Sequence, residues 1–521
     1  MNTRKKEIII IAAVLIIQTI IYVICGINKS YIHMDEAYSL GLASYDKVEI
    51  QANEDFYNNW HTGDYYEDYL SVQEDEIGKY SQVYENQKND VHPPLYYLIL
   101  RIAMGFSINN YSKWPGIIIN IILYMFITIV MYQILQKIFK EEQNAKEKSI
   151  ILAFISSITM ASLTNVIYIR MYALSALNIL ITTLLHIKLF ESEKINIKLL
   201  IAIGISALVG SLTHYYYLFY LAMLYIIFVV KYIKEKEYKN LIRYTLTMVV
   251  AGVASLLIFP YSIQHMFFGY RGQGVISKLT NIPEFLGSIG NYIAKVNRFG
   301  FNNLLFVILI SIVILAGILI FKKEKIKRNK LIKIIALPAA FYFILVAVAS
   351  PWIELRYIAP ICSLIFILVI YYVYQMLEVL CKVKVSNIIM VVAFGIMLIS
   401  PLVFKIEPEV LYSDKKEIVN KLSNELNLPT LYVFNSSHNR FLDDILLMSV
   451  IDESYIAENL ECTESNIQNI FKGKDLSKGI IVFINAGQNN DEKLQVIKQS
   501  LDFKKHEHLK RLNACDVYYI N

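Results

Sequence analysis

The sequence predicts a polytopic α-helical membrane protein of about eleven transmembrane helices with a C-terminal soluble α/β domain. Three observations predict it. The chain has 521 residues, is 56% hydrophobic and has a mean hydropathy of +0.44, above the apolar content of soluble domains. Apolar runs of roughly 18–22 residues recur, each long enough for the hydrocarbon core of a bilayer. Lys and Arg cluster in alternate short loops between these runs, the pattern that sets membrane orientation. The net charge of +6 is spent in those loops and implies no nucleic-acid partner.

The first apolar stretch, Ile8 to Ile27, follows Arg4-Lys5-Lys6. It is longer than a signal-peptide core and lacks a small-x-small cleavage site, so an uncleaved first span is expected. Further spans are expected at 116–137, 150–168, 172–190, 199–213, 216–231, 244–262, 302–321, 331–350, 358–378 and 387–405. Their centres read as apolar. One set of loops carries Lys137 to Lys148, Lys188 to Lys198, Lys231 to Arg243, Lys322 to Lys330, and Lys382 with Lys384. With the basic N-terminus, this set is expected in the cytoplasm.

The outward set is then loop 28–115, the region near 165–172, the turn at His214, loop 263–300, the turn 351–357 and everything after 405. Eleven crossings place the tail outside. The count closes only if Leu95–Met104 does not cross. That segment is short, carries Arg101 and reads as an interfacial helix, opened by Pro93-Pro94.

Loop 28–92 holds fourteen acidic and four basic residues, most of them expected as solvated surface. The division expected is a transmembrane domain over 1–405, including loop 28–115, and a soluble domain over 406–521. In that tail, 431–435, 480–485 and 516–520 read as strands, and 440–451 and 491–501 as helices. Asn435-Ser436-Ser437 and Asn485-Ala486-Gly487 fall at strand ends, where ligands bind in such sheets. Neither GxGxxG nor a Walker motif is present. The five cysteines show no metal-ligand spacing; Cys462 and Cys515 either pair or stay free.

Polar residues beside outward span ends converge from five segments: His33, Asp35, Glu36, His92, Arg170, Tyr172, His214, Tyr215, Arg271, Arg298, Arg356 and Tyr357. Carboxylates beside a membrane are costly unless they serve a function. Arg170 and Arg356 break the rule that outward loops are poor in cations. A guanidinium there suits a bidentate phosphate contact, and a phosphate at that depth is expected to belong to a lipid. A facing carboxylate can take a proton from an attacking hydroxyl, while Arg, Tyr and His stabilise the departing phosphate. Each residue also has a plainer role open to it. Asp35 can cap a helix starting near Ala37, and Glu36 can serve the helix dipole. Arg170 and Arg356 can snorkel, and His214 can join an aromatic belt. Arg271 and Arg298 sit in a long loop and read more as surface.

Five pieces, in order, carry a family resemblance: Met34-Asp35-Glu36-Ala37-Tyr38, His92-Pro93-Pro94-Leu95, Arg170-Met171-Tyr172, Thr213-His214-Tyr215 and Arg356-Tyr357-Ile358-Ala359-Pro360. The set resembles the GT-C superfamily of polyprenyl-phosphate-sugar-dependent glycosyltransferases. It is most similar to the branch of protein O-mannosyltransferases and aminoarabinose transferases (glycosyltransferase family 39-like). The resemblance implies an extracytoplasmic site and a sugar donor on a polyprenyl phosphate. It also implies inversion with Asp35 as base, supported by Glu36, and arginines on the lipid phosphate. The acceptor would be a wall polymer, glycolipid or protein. No β-trefoil repeat is seen in the tail, which counts against a protein acceptor; no DxD-type metal site is evident, so no cofactor and no essential divalent ion are expected. The alternatives are a transporter or flippase, a non-catalytic scaffold, or a metal-dependent oligosaccharyltransferase.

Overall fold

Long apolar helices dominate the computed structural model, which describes residues 3–268, 281–424, 426–435, 440–485, 490–513 and 515–521. Among the described residues, eight helices are long and apolar enough to cross a membrane. They lie at eight of the eleven expected positions, starting with α1 (Thr3–Asn28) and ending with Val383–Phe404. The chain is thus a polytopic helical membrane protein.

The other three positions differ from expectation. Segment 150–168 is broken into Ala145–Ser157 and Met160–Ile167, bent by 58°, because Thr159 caps a new helix by accepting from Ser162 N. Segment 302–321 is one arm of a pair, 282–300 and 305–321, bent by 97°. Asn302 and Asn303 make that turn with φ of 51° and 67°, a conformation asparagine tolerates. Segment 199–213 is a helix of only 15 residues, Ile197–Ser211. Leu95–Met104 has ten residues, about 15 Å of helix, half of what a bilayer requires.

The expectation of apolar span centres needs correction. Helix Tyr172–Glu191 buries Asn178, Thr182, Thr183 and His186. Thr182 meets Ser206 at 2.6 Å and Tyr217 at 2.8 Å, Thr183 meets Tyr220 at 2.7 Å, and His186 meets Tyr244 at 3.0 Å. These uncharged pairs join helices where lipid offers no hydrophobic drive.

The chain divides into two compact units, and not at 405. One comprises 1–26, 90–96 and 117–409; the other comprises 27–89, 97–116 and 410–521. Loop residues 27–89 therefore group with the tail. The reason is a shared six-stranded sheet of order β1-β3-β2-β4-β6-β5. Its strands are β1 (Trp60–Thr62), β2 (Thr430–Phe434), β3 (Glu453–Glu458), β4 (Ile480–Asn485), β5 (His506–Arg511) and β6 (Cys515–Ile520). β1 pairs antiparallel with β3, which runs parallel to β2. β2 is parallel to β4, and β6 and β5 complete an antiparallel edge. β2 and β4 are buried throughout, and Leu431, Val433, Val482 and Ile484 pack with helix residues Ile467, Leu494 and Ile497.

Within the loop, α2 (Met34–Ser44) is mostly buried, while eight of the loop's fourteen acidic residues are exposed and only Glu36 among them is buried. The expected helix 440–451 is interrupted at Asp444, leaving Ile445–Ser449. All five cysteines are free; Cys515 is buried and donates to Asp444 at 2.6 Å.

Candidate active site

The first group of predicted residues opens α2. His33, and not Asp35, is the cap. The N–H of Asp35 donates to His33 Nδ1 at 3.1 Å, and Glu36 Oε2 accepts from His33 N at 2.9 Å, closing a capping box. The helix thus starts at Met34, three residues earlier than expected. Glu36 also forms an ion pair. Its carboxylate lies 2.9 Å from Lys29 Nζ, and both side chains are fully buried. Lys29 donates as well to the carbonyl of Val410 at 2.9 Å. Burial holds the Lys29 ammonium below its usual range, against the attraction of Glu36.

Asp35 differs from its neighbour. Its side chain keeps 20% exposure, and one oxygen lies 3.5 Å from His33 Nδ1. Of two adjacent carboxylates, one is locked into an ion pair and a cap, while the other has solvent access.

The second group lies in the other unit. His92 Nδ1 is 2.7 Å from Asp90 Oδ2. His92 Nε2 lies 3.4 Å from Arg170 Nη2. The His92 and His214 rings are 6.3 Å apart, and Tyr172 lies 5.4 Å from His214. Tyr357 stands edge-on to Tyr172 and Tyr216. Arg356 donates to Tyr168 Oη at 3.0 Å and lies over the Tyr357 ring. His92, Arg170, Tyr172, His214 and Tyr357 are all buried, whereas Arg356 is half-buried. Tyr215 Oη is 2.9 Å from His265 Nδ1.

Local sequence explains this assembly. The chain before Leu95 is tied to the turn at His214 by Leu95 N donating to Leu212 O at 3.2 Å. Arg170 sits in the short turn between helices Met160–Ile167 and Tyr172–Glu191. Arg356 lies in the first turn of Leu355–Leu380.

Asp90 was missing from the predicted set, and so were Tyr168 and Tyr216. Burial would raise the Asp90 carboxyl; the charge and hydrogen bond of His92, with Arg170 beyond, outweigh burial and hold it low. Its two-residue spacing from His92 was the available signal. Arg271 lies outside the described residues, as do 436–437 and 486–487 of the strand-end motifs. Arg298 lies in the five-residue turn Val296–Gly300, over the Phe299 ring. Among the described residues, no group of three His, Cys, Asp or Glu side chains is placed to hold a metal ion.

No protein-family model matches the chain, and no curated protein matches it. Solved structures similar to it include crystal structures of ArnT from Cupriavidus metallidurans. The undecaprenyl phosphate-bound form has 8% identity and a TM-score of 0.49, covering 98% of this chain and 97% of that one. The apo form has 7% identity and a TM-score of 0.48, covering 99% and 98%. An oligosaccharyltransferase from Archaeoglobus fulgidus, tethered with an acceptor peptide containing the NVT sequon, has 12% identity and a TM-score of 0.41, covering 96% and 69%.

Proposed function

We propose that this chain is an integral membrane glycosyltransferase that moves a sugar from a polyprenyl-phosphate donor to an extracytoplasmic acceptor. The observation that carries the reading is the buried Arg170 guanidinium, held through His92 among Tyr172, His214 and Tyr357, with Arg356 close by. A permanently charged fork at the end of apolar spans suits a phosphate that arrives on a lipid.

In the proposed reaction, Asp35 takes the proton of the acceptor hydroxyl as its oxygen attacks the anomeric carbon. The bond from that carbon to the phosphate oxygen breaks, and its electron pair leaves with polyprenyl phosphate. The new glycosidic bond has inverted configuration. Arg170 and Arg356 take up the charge that grows on the phosphate. Glu36 supports the geometry through its cap and its ion pair. A transporter would need polar groups in the middle of several spans. Those that helix Tyr172–Glu191 carries, at Asn178, Thr182, Thr183 and His186, are hydrogen-bonded with Ser206, Tyr217, Tyr220 and Tyr244, which favours packing.

The proposed orientation has a cytoplasmic N-terminus and an extracytoplasmic tail. It requires the 15-residue helix Ile197–Ser211, about 22 Å long, to cross together with its flanking turns. The acceptor class and the sugar remain with the test. Purified protein in nanodiscs is incubated with short-chain polyprenyl-phosphate sugars and an envelope extract, and released polyprenyl phosphate is measured. Turnover of one donor, lost in Asp35→Asn, is the expected result. Turnover of no donor overturns the reading, and turnover abolished by EDTA and restored by Mn²⁺ transfers it to the metal-dependent alternative.

A further inference from the structure

Within its unit, α2 is fastened at both ends by residues far away in sequence. The first four N–H groups of a helix have no partner inside it. The first of these, at Met34, donates to Asp443 Oδ1 at 3.3 Å. Asp443 is fully buried and paired with Arg440 at 2.8 Å. The adjacent Asp444, also fully buried, accepts from Tyr31 Oη at 3.1 Å, Tyr432 Oη at 3.0 Å and Cys515 Sγ at 2.6 Å. Tyr31 precedes the cap by two residues, Tyr432 lies on β2 and Cys515 opens β6. Ser30 N also donates to Leu411 O at 3.3 Å. At the other end of α2, buried Arg101 donates to the carbonyls of Ala43 at 2.8 Å and Ser44 at 3.1 Å, and Asn86 donates to that of Tyr45 at 2.7 Å.

Two neighbouring carboxylates are costly to bury, and an apolar core of the same volume would be at least as stable. Their geometry gives them a use that an apolar core lacks: they fix segment 31–34 to the two strands that flank β4. We propose that Asp443 and Asp444 are positioning residues for Asp35, and that the tail's sheet is the rigid base on which the helix bearing the reactive carboxylate is mounted. This rests on the reading of Asp35 as the base. A misplacement of about 1 Å can cost roughly 100-fold in rate, so a mount of this kind has a measurable effect.

The test uses the full-length protein in nanodiscs, with hydrogen exchange of segment 33–44 and donor turnover as separate readouts. Asp443→Ala is expected to speed exchange at 34–37 by about tenfold or more and leave the apolar spans unchanged. It should lower kcat by roughly 10- to 100-fold with donor and acceptor KM unchanged. Asp443→Asn keeps an acceptor oxygen for Met34 N–H and restores most of the rate. In an Asp35→Asn background, Asp443→Ala adds no further loss. Unchanged exchange at 34–44, or losses that multiply in the double variant, overturns the proposal. A raised acceptor KM with native kcat does so too, by assigning the tail to acceptor binding. If Asp443→Ala does not fold, Tyr31→Phe, which removes one donor to Asp444, gives the same comparison with a loss of a fewfold. A native protein that turns over no donor defeats the reading of Asp35, while the exchange result still decides the mount.

Discussion

At the start of α2, Glu36 and Lys29 are 2.9 Å apart with no exposure at all, whereas in the other unit Arg170 is linked to Asp90 through the His92 ring. The first arrangement is a closed pair: each charge cancels the other, and Glu36 also caps its helix. The second is a chain in which an imidazole stands between cation and carboxylate. A closed pair suits structure, because neither partner can turn to a ligand without stranding the other. Such a chain spreads charge over three groups, Asp90, His92 and Arg170, where the closed pair confines it to two. Charge burial alone therefore does not mark a catalytic residue; the kind of partner does.

The comparison breaks most visibly if the closed pair is opened. Lys29→Ala removes the buried counter-charge of Glu36, and a loss of about 3–5 kcal/mol is expected, read as a large drop in melting temperature. Replacing both residues by Met should recover most of that loss, since a packed apolar pair is often no less stable. A Lys29→Ala protein that melts like the native one would show that the pair is not closed.

In the other unit, Arg170→Ala should leave the melting temperature nearly unchanged and weaken polyprenyl phosphate binding by roughly 10- to 100-fold, as expected for losing a charge-assisted hydrogen bond. Arg170→Lys should not rescue it fully, because an ammonium lacks the planar fork. Undiminished binding in Arg170→Ala would move the phosphate elsewhere.

A subtler test concerns how tightly α2 is seated. A Cβ on Gly41 would come within 2.1 Å of the Tyr69 ring. Gly41→Ala should therefore cost about 1–3 kcal/mol by overpacking, and Tyr69→Leu should relieve part of it in a double-variant melt.

The smallest effect is a pH dependence. Burial is the main cause that raises the Asp444 carboxyl to about 6. The folded state then favours the protonated form, so the contribution of Asp444 to stability is full below pH 4 and falls as pH rises through 6. Asp90 behaves oppositely: its lowered carboxyl stabilises above the usual carboxylate range and loses that contribution as pH falls through its own lower value. Asp444→Asn should flatten the melting curve between about pH 4 and 6, and Asp90→Asn should flatten it only on the acid side. The same slope in both variants would remove the distinction.

Much of this was legible because polarity is rare in this chain. His33-Met34-Asp35-Glu36 and His92-Pro93-Pro94 stand out against long apolar runs, and hydropathy placed eight helices directly. The breaks at Ile158–Thr159 and Phe301–Leu304 were not legible, since averaging over a span hides a turn of two to four residues. β1 is three residues in an acidic loop and gains its partner, β3, from a segment nearly 400 positions later. β5 reads His506-Glu507-His508-Leu509-Lys510-Arg511, an exposed edge strand with no apolar alternation. The different settings of Asp35 and Glu36 could not be read from adjacency, because they depend on Lys29, seven residues before Glu36, folding back onto it.

The most direct test sets Asp35→Asn beside Glu36→Gln, following donor turnover and melting on the same preparations. Asp35→Asn is predicted to lose roughly 100- to 10,000-fold in turnover and to melt like the native protein. Glu36→Gln is predicted to melt far lower, because Lys29 loses its buried counter-charge. Native turnover in Asp35→Asn, or an unchanged melting temperature in Glu36→Gln, would contradict the assignment of chemistry to the first carboxylate and structure to the second.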